Sequence, residues 1–141
     1  MMLELEEFPL FPLNLVLFPE GLLPLRIFEP RYVDMVSTCL KEKKSFGVVL
    51  IKAGKEIRGP VSYYETGTLA IIQSFDQGED GLLHIVAKGT ELFKIKKSVL
   101  QKDGLIIAKV RLVIPDIEET EIEFSSLAQL LSKILSNLGE L

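Results

Sequence analysis

Residues 8–32, FPLFPLNLVLFPEGLLPLRIFEPRY, form the stretch that decides how this chain folds. The stretch holds five of the seven prolines of the chain, separated by short runs of leucine, isoleucine, valine and phenylalanine. So much apolar surface must be buried, yet proline has no N–H to give to a neighbouring strand. We therefore predict short extended pieces that bend at the prolines and follow the edge of a sheet, and not one long inner strand.

Three of the four charged residues in this stretch lie near its end: Arg26, Glu29 and Arg31. Unpaired charges are costly in apolar surroundings. We therefore predict that these residues form structural ion pairs with one another or with Asp34. The same stretch supplies three candidates for a polypeptide-binding surface, since a small domain can leave some apolar residues exposed together: Phe11, Phe18 and Leu22. Core packing is the alternative role for each of them.

The composition is that of one globular domain, with 141 residues, 48% hydrophobic residues and 26% charged residues. The net charge of −4 disfavours broad binding to a phosphate backbone, which relies on clusters of lysine and arginine. The single cysteine excludes an intrachain disulfide, and the acidic N-terminus differs from a signal peptide. No apolar run is long enough to cross a bilayer. We predict a cytoplasmic protein without a membrane partner.

The spacing of apolar residues changes along the chain. Pro30 suits the first position of a helix, and apolar residues at helical spacing follow it, which predicts a helix from about 30 to 43. Short runs rich in branched residues, bounded by glycine turns, predict strands over residues 46–51, 63–75, 82–87, 92–100 and 105–114, after two early strands within the proline-rich region. Gly67 and Gly89 are expected to bend the strands. The fold class is α+β, mainly β, with a small antiparallel barrel of about six strands.

A C-terminal helix is predicted within residues 116–141, as part of the same domain as the β region at 1–115. Thr120 and Glu123 match a capping box, and an apolar stripe follows them. The stripe is wider than a small barrel needs. We therefore expect part of it to pack on a second chain, giving a homo-oligomer, or on the barrel edge: Phe124, Leu131 and Leu138.

No catalytic constellation is visible in the sequence. Nucleophilic catalysis needs a nucleophile beside a base, but the one histidine, His84, lies in a predicted strand, and Cys39 lies on the apolar helix face. These two residues also make a poor zinc site. The phosphate-binding pattern GxxxxGK[ST] does not occur. We predict no catalytic residues, no metal and no cofactor.

The opening stretch resembles the signature of the Lon protease N-terminal domain family. The resemblance continues through FGVVLIKAGKE (46–56), ETGTLAII (65–72) and DGLLHIVAKGTELFKI (80–95), and so covers the chain up to about Pro115. Two residues depart from the family pattern, because Glu20 replaces a usual second glycine and Leu92 replaces a common arginine. The resemblance implies a PUA-like, strongly twisted pseudo-barrel with one packed helix. The ATPase and the Ser–Lys peptidase of full-length Lon have no counterpart in this sequence.

Together, the residues and the resemblance predict a non-catalytic module that binds unfolded or apolar polypeptide, or a protein partner. A PUA-like nucleic-acid-binding domain is the alternative, and it requires a basic face. A small hydrolase is a further alternative, which the lack of a visible nucleophile–base pair disfavours.

Overall fold

The computed structural model describes residues 5–52, 62–113 and 128–132. Its elements are β1 (Glu6–Leu13), β2 (Leu22–Ile27), α1 (Pro30–Glu42), β3 (Phe46–Ile51), β4 (Tyr63–Gln77), β5 (Leu83–Leu100) and β6 (Ile106–Leu112). The prediction of a mainly β fold with a helix opened by Pro30 is confirmed. The left-handed residue Lys43 ends α1, and its N–H bonds back into the last turn.

The six strands form one sheet in the order β2-β5-β4-β3-β1-β6, and an additional pairing of β5 with β6 closes five of them into a barrel. Strand β5 makes this closure possible because it is 18 residues long. Its first half pairs with β2 and its second half with β6. The pairing of β1 with β3 is parallel, so the sheet is mixed and the prediction of a purely antiparallel barrel needs this correction.

The prolines do not keep β1 at the edge, as the sequence had predicted, because β1 lies between β3 and β6. Pro9 is paired only on the β6 side, with Ile107, and Pro12 only on the β3 side, with Val49. The partner strand changes at Leu10, so each proline can turn its nitrogen away from the ladder. Strand β2, which contains Pro24, is an edge strand as predicted.

The two glycines that were expected to bend strands both lie beside register shifts, and both also permit close packing. Gly67 is paired with Val49 of β3 and Phe93 of β5, and the register shifts on either side of it: between Gly67 and Tyr63 against β3, and between Thr68 and Ala70 against β5. A Cβ atom at Gly67 would lie 2.5 Å from the carbonyl oxygen of Val48 and 2.6 Å from Cζ of Phe93. Gly89 lies within β5, where the register against β4 shifts between Gly89 and Leu92 and the backbone of Phe18 crosses the strand.

The core has two layers, which meet at the barrel wall. The barrel interior is filled by Leu10, Val49, Leu69, Phe93, Ala108 and Val110. On the outside of the wall, α1 packs through its buried residues Tyr32, Met35, Val36 and Cys39. Each fully buried side chain of this size contributes roughly 1.5–3 kcal/mol. This second layer fixes β2 and α1 against the barrel.

Most of the predicted C-terminal helix lies outside the described residues. Residues 128–132 are helical, and Leu130 lines a small cavity with residues 15–17 and with strands β3, β4 and β5. Among the described helices, none is long and apolar enough to cross a membrane.

Candidate functional site

A column of stacked side chains joins the two ends of the proline-rich stretch. The rings of Phe11 and Tyr32 are stacked, with centroids 4.2 Å apart and an interplanar angle of 6°. Cζ of Arg31 lies 4.7 Å from the centroid of the Tyr32 ring. Behind the column, the ring of Phe11 also packs against the ring of Phe46 in a tilted arrangement, with centroids 6.3 Å apart. Burial raises the pKa of Tyr32 above its usual value. The column therefore ties β1 to the start of α1 through aromatic and cation–π contacts.

Arg31 extends this column to the turn between β5 and β6. Its Nη1 donates a hydrogen bond of 2.8 Å to the carbonyl oxygen of Gly104. Its Nε and Nη2 both donate to Oε2 of Glu29 at 3.3 Å. Glu29 is the N-cap residue of α1, but its side chain makes no capping hydrogen bond, which leaves the carboxylate for Arg31. The structure thus brings Glu29 and Arg31 together, as the sequence predicted.

Arg26 does not join this pair. Its Nη2 lies 3.7 Å from Oδ2 of Asp80, in the turn between β4 and β5, and its side chain is 68% exposed. Because Arg26 pairs with His84 in the sheet register, its side chain lies on the same face as that histidine, whose Nε2 is 3.2 Å from Oδ1 of Asp80. The N–H of Leu82 and the His84 side chain lower the pKa of Asp80. The Arg26 pair is therefore a solvated surface contact.

The column borders an open groove of about 1060 Å³. The groove lies between the β5–β6 hairpin, the ends of β1, β3 and β4, and the segment that runs from β2 into α1. Most of its lining is apolar: Phe11, Pro12, Leu13, Leu25, Ile27, Phe28, Tyr32, Ile51, Tyr63, Leu100 and Ile106. Arg26, Glu29 and Arg31 supply charges to the same lining. Phe28 is 71% exposed and Leu100 is 60% exposed, so apolar surface faces solvent in the groove.

The structure does not bring the three predicted binding residues onto one surface. Phe11 is buried and lines the groove. Phe18 and Leu22 are exposed, but they lie beside Lys88 and Gly89 and are not among the groove residues. Sequence reasoning missed Phe28 and Leu100. The alternation of β2 could have identified Phe28. Leu23, Leu25 and Ile27 lie on the covered face of the strand, so the next residue, Phe28, is expected on the exposed face.

Cys39, one of the two side chains considered for catalysis, is not activated as a nucleophile. Cys39 is buried, and desolvation raises its pKa to about 11, so the thiol stays protonated at neutral pH. Its Sγ contacts the carbonyl oxygen of Ser45 at 3.8 Å. In the part of the chain that the structure describes, no three His, Cys, Asp or Glu side chains are grouped to hold a metal ion.

Comparison with known proteins supplies a family. The family model for the ATP-dependent protease La (LON) substrate-binding domain matches residues 7–141. The Lon protease of Anaeromyxobacter dehalogenans is 29% identical over 136 residues, covering 94% of this chain and 16% of that protein. Protein cereblon of Danio rerio is 29% identical over 119 residues, covering 79% of this chain and 27% of that protein. The chain thus spans only a small part of the length of these relatives.

Solved structures agree with this assignment. The Lon N-terminal domain protein from Xanthomonas campestris is 38% identical with a TM-score of 0.68, covering 79% of this chain and 62% of that chain. The N-terminal domain of the Mycobacterium avium complex Lon protease has a TM-score of 0.56 at 13% identity, covering 94% of this chain and 69% of that chain, and it supports the fold alone. The resemblance seen in the sequence is confirmed, and the chain belongs to the Lon substrate-binding domain family.

Proposed function

We propose that this chain binds extended, apolar polypeptide in the groove and does not cleave it. The observation that carries the proposal is an open, mostly apolar groove of about 1060 Å³ beside the edge strand β2. Exposed apolar surface in a concave site is typical of a binding surface. The family to which the chain belongs is described as a substrate-binding domain, and its relatives include proteases.

Both the lining and the strand edge of the groove suit an extended segment. Apolar side chains of a bound segment would cover Phe28 and Leu100, whose burial from water supplies the main driving force. The open edge of β2 offers backbone groups for strand addition, and Pro24 restricts this pairing to the part of β2 that follows it. The stacked column and the prolines hold the wall in place, so binding orders few groups. We expect micromolar affinity, or about −8 kcal/mol.

Binding without cleavage is supported by the chemistry of the described side chains. The one cysteine is buried and protonated, and the one histidine is held by an aspartate on the surface. We also propose a cytoplasmic location, which rests on the unpaired cysteine. Polypeptide is proposed as the partner in preference to nucleic acid because the net charge of the chain is −4.

A second surface is the alternative site for the same function. Leu22 is paired with Lys88, which is in turn paired with Ile71, so the three side chains share one face of the sheet. Leu22 and Ile71 are both exposed there. Phe18 is also exposed, but it belongs to the preceding loop, whose backbone crosses β5 at Gly89. The pair of Leu22 and Ile71 lies on one face of the sheet, whereas the groove is concave and can surround a side chain.

Fluorescence anisotropy with a labelled unfolded protein tests the function and separates the two surfaces. Leu100 in the groove and Leu22 outside it are both 60% exposed, so Leu100→Ser and Leu22→Ser remove equally exposed leucine side chains. We expect Leu100→Ser to weaken binding about fivefold to tenfold, which corresponds to about 1 kcal/mol of lost apolar contact, and Leu22→Ser to leave it unchanged.

The reverse pattern would move the site to the pair of Leu22 and Ile71. The control for the alternative function is a labelled RNA, measured like the unfolded protein across a series of salt concentrations. Polypeptide binding driven by apolar burial depends little on salt, whereas RNA binding depends strongly on it. RNA binding that falls steeply with salt, with no polypeptide binding, would refute the proposal.

A further inference from the structure

The β5–β6 hairpin is strongly cationic in an acidic chain. Between Lys94 and Arg111 the sequence places six cationic side chains against one carboxylate: Lys94, Lys96, Lys97, Lys102, Lys109 and Arg111 against Asp103. The rest of the chain carries ten cationic residues and 19 acidic ones. The basic face that the net charge does not reveal is therefore concentrated in one element.

The strand register gathers these charges into rows on one face. Lys94 is directly opposite Arg111, and Lys97 is directly opposite Lys109. These residues lie on the outer face of the barrel, because the alternate residues of β6, Ala108 and Val110, are buried inside it. Directly opposed residues have Cβ atoms about 5 Å apart, and like charges at this distance are destabilising. Two such rows occur in succession, separated along β6 by about 7 Å.

Within the described ranges, few carboxylates lie near the cationic side chains of these rows. Lys109 has a carboxylate nearby, since Oε1 of Glu7 on β1 lies 3.9 Å from its Nζ, and both side chains are at least half exposed. On the other side, the register neighbour of Lys94 is the uncharged Thr66. The exposed ion pair between Glu7 and Lys109 therefore contributes little to stability. The arrangement lowers the stability of the hairpin and at the same time prepares the face for an anion.

The geometry points to an acidic segment of a bound polypeptide as the partner of these rows. Alternate side chains of an extended peptide are also about 7 Å apart, so two carboxylates at positions i and i+2 match the two rows. Single-stranded nucleic acid uses aromatic side chains for base stacking, and the outer-face residues of these rows and of the next one, Val99 opposite Ile107, include none. A long polyanion would also meet the acidic remainder of the chain, which a short acidic segment avoids.

The cationic face and the groove share the same hairpin. Ser98 and Leu100 line the groove, whereas Lys97 and Val99 point to the opposite side of β5. A segment that leaves the groove over the edge of this hairpin therefore reaches the cationic rows. This inference rests on the proposed function, and it narrows the substrate class to apolar segments followed by acidic residues.

Anisotropy with two labelled peptides tests the inference on the full chain. Both peptides carry the same apolar sequence, followed by two Glu residues at i and i+2 in one and by two Gln residues in the other. At low salt we expect the Glu peptide to bind about tenfold more tightly than the Gln peptide, as two or more exposed ion pairs at a prepared site allow. The Lys97→Gln/Lys109→Gln variant should lose this gain and keep its affinity for the Gln peptide. The matched control is Lys41→Gln/Lys44→Gln, which removes the same charge at two exposed positions, one in the last turn of α1 and one just after it. This control should still bind the Glu peptide more tightly than the Gln peptide.

The outcomes separate the two proposals. Equal binding of both peptides to the wild type would overturn the acidic preference and leave groove binding intact, whereas binding of the Glu peptide alone would support the cationic rows and refute the groove. Binding to neither would overturn both. An RNA oligonucleotide that binds through Lys97 and Lys109, with no gain for the Glu peptide, would assign the face to nucleic acid. A gain that appears only after Glu118, Glu119 and Glu121 are changed to Gln would assign it to the acidic run of the chain itself, and would also overturn the inference.

Discussion

Arg31→Met tests whether the stacked column supports the wall of the groove. The substitution removes the hydrogen bond to Gly104, the ion pair with Glu29 and the cation–π contact with Tyr32, while it keeps a long apolar side chain. Arg26→Met is the matched control, because it makes the same change five residues earlier, in the same apolar stretch, at a side chain that is 68% exposed.

The expected effect follows from the contacts of each arginine. The hydrogen bond from the Arg31 guanidinium to the Gly104 carbonyl contributes about 1–2 kcal/mol, and the cation–π contact about 0.5–1 kcal/mol. The ion pair adds only a few tenths of a kcal/mol, because the Arg31 and Glu29 side chains are 33% and 44% exposed. Since methionine restores part of the packing on Tyr32, we expect Arg31→Met to lower the free energy of unfolding by about 1.5–2.5 kcal/mol. Arg26→Met should change it by about 0.5 kcal/mol or less.

Urea denaturation followed by circular dichroism measures both variants. An Arg31→Met midpoint well below that of the wild type, with an Arg26→Met midpoint near it and unchanged slopes, is the predicted result. Equal midpoints for the two variants would refute the reasoning, because they would show that the link from α1 to the β5–β6 turn adds nothing to stability.

Four further predictions concern other parts of the molecule. Gly67→Ala should destabilise by about 1–3 kcal/mol in urea denaturation, because its Cβ would meet a backbone carbonyl and Phe93; an unchanged midpoint would show that the wall relaxes. Glu20→Gly should raise the midpoint, since Glu20 has a φ of 69°, a left-handed conformation that costs a non-glycine residue about 1 kcal/mol, and its ion pair with Lys88 is exposed; a lower midpoint would contradict this. Cys39 should react with a thiol reagent at pH 8 only in urea, and the free energy of unfolding should fall as pH rises from 9.0 towards about 11, because the unfolded thiol ionises first; rapid reaction of the native protein would show an open site. Light scattering checks the homo-oligomer predicted from the C-terminal stripe, and a monomer would assign that stripe to the barrel of its own chain, against which Leu130 lies.

The sequence predicted the elements of this fold better than their connections. The helix and strand β3 match their predicted ranges because hydrophobic periodicity and the position of Pro30 report local structure directly. Two strands were predicted on either side of Gly89, whereas one strand, β5, runs through it with a shift in its register against β4. The sequence did not show that a distant loop crosses β5 at this glycine. The central position of β1 was hidden for a similar reason. Proline excludes pairing on one side only, and the sequence does not show that β1 changes partner at Leu10.

The candidate site was predicted only in part. The apolar stretch was recognised as the source of a binding surface, and Phe11 does line the groove. The partner of Arg26 could not be predicted, because Asp80 is 54 positions away and reaches it through the register of β2 with β5. Leu100 was missed because Val99 and Leu100 are both apolar, and alternation alone does not say which of them faces the groove.

Hydrogen exchange of the chain with and without an unfolded, apolar polypeptide tests the central claim most directly. If the groove is the binding site, exchange should slow in residues 25–29, at the edge of β2 and the start of α1, and in residues 98–106 of the β5–β6 hairpin. Residues 18–22 and the neighbourhood of Ile71 should exchange at unchanged rates. Protection confined to residues 18–22 and the neighbourhood of Ile71, or no protection at a polypeptide concentration that saturates the anisotropy signal, would contradict the assignment of the groove.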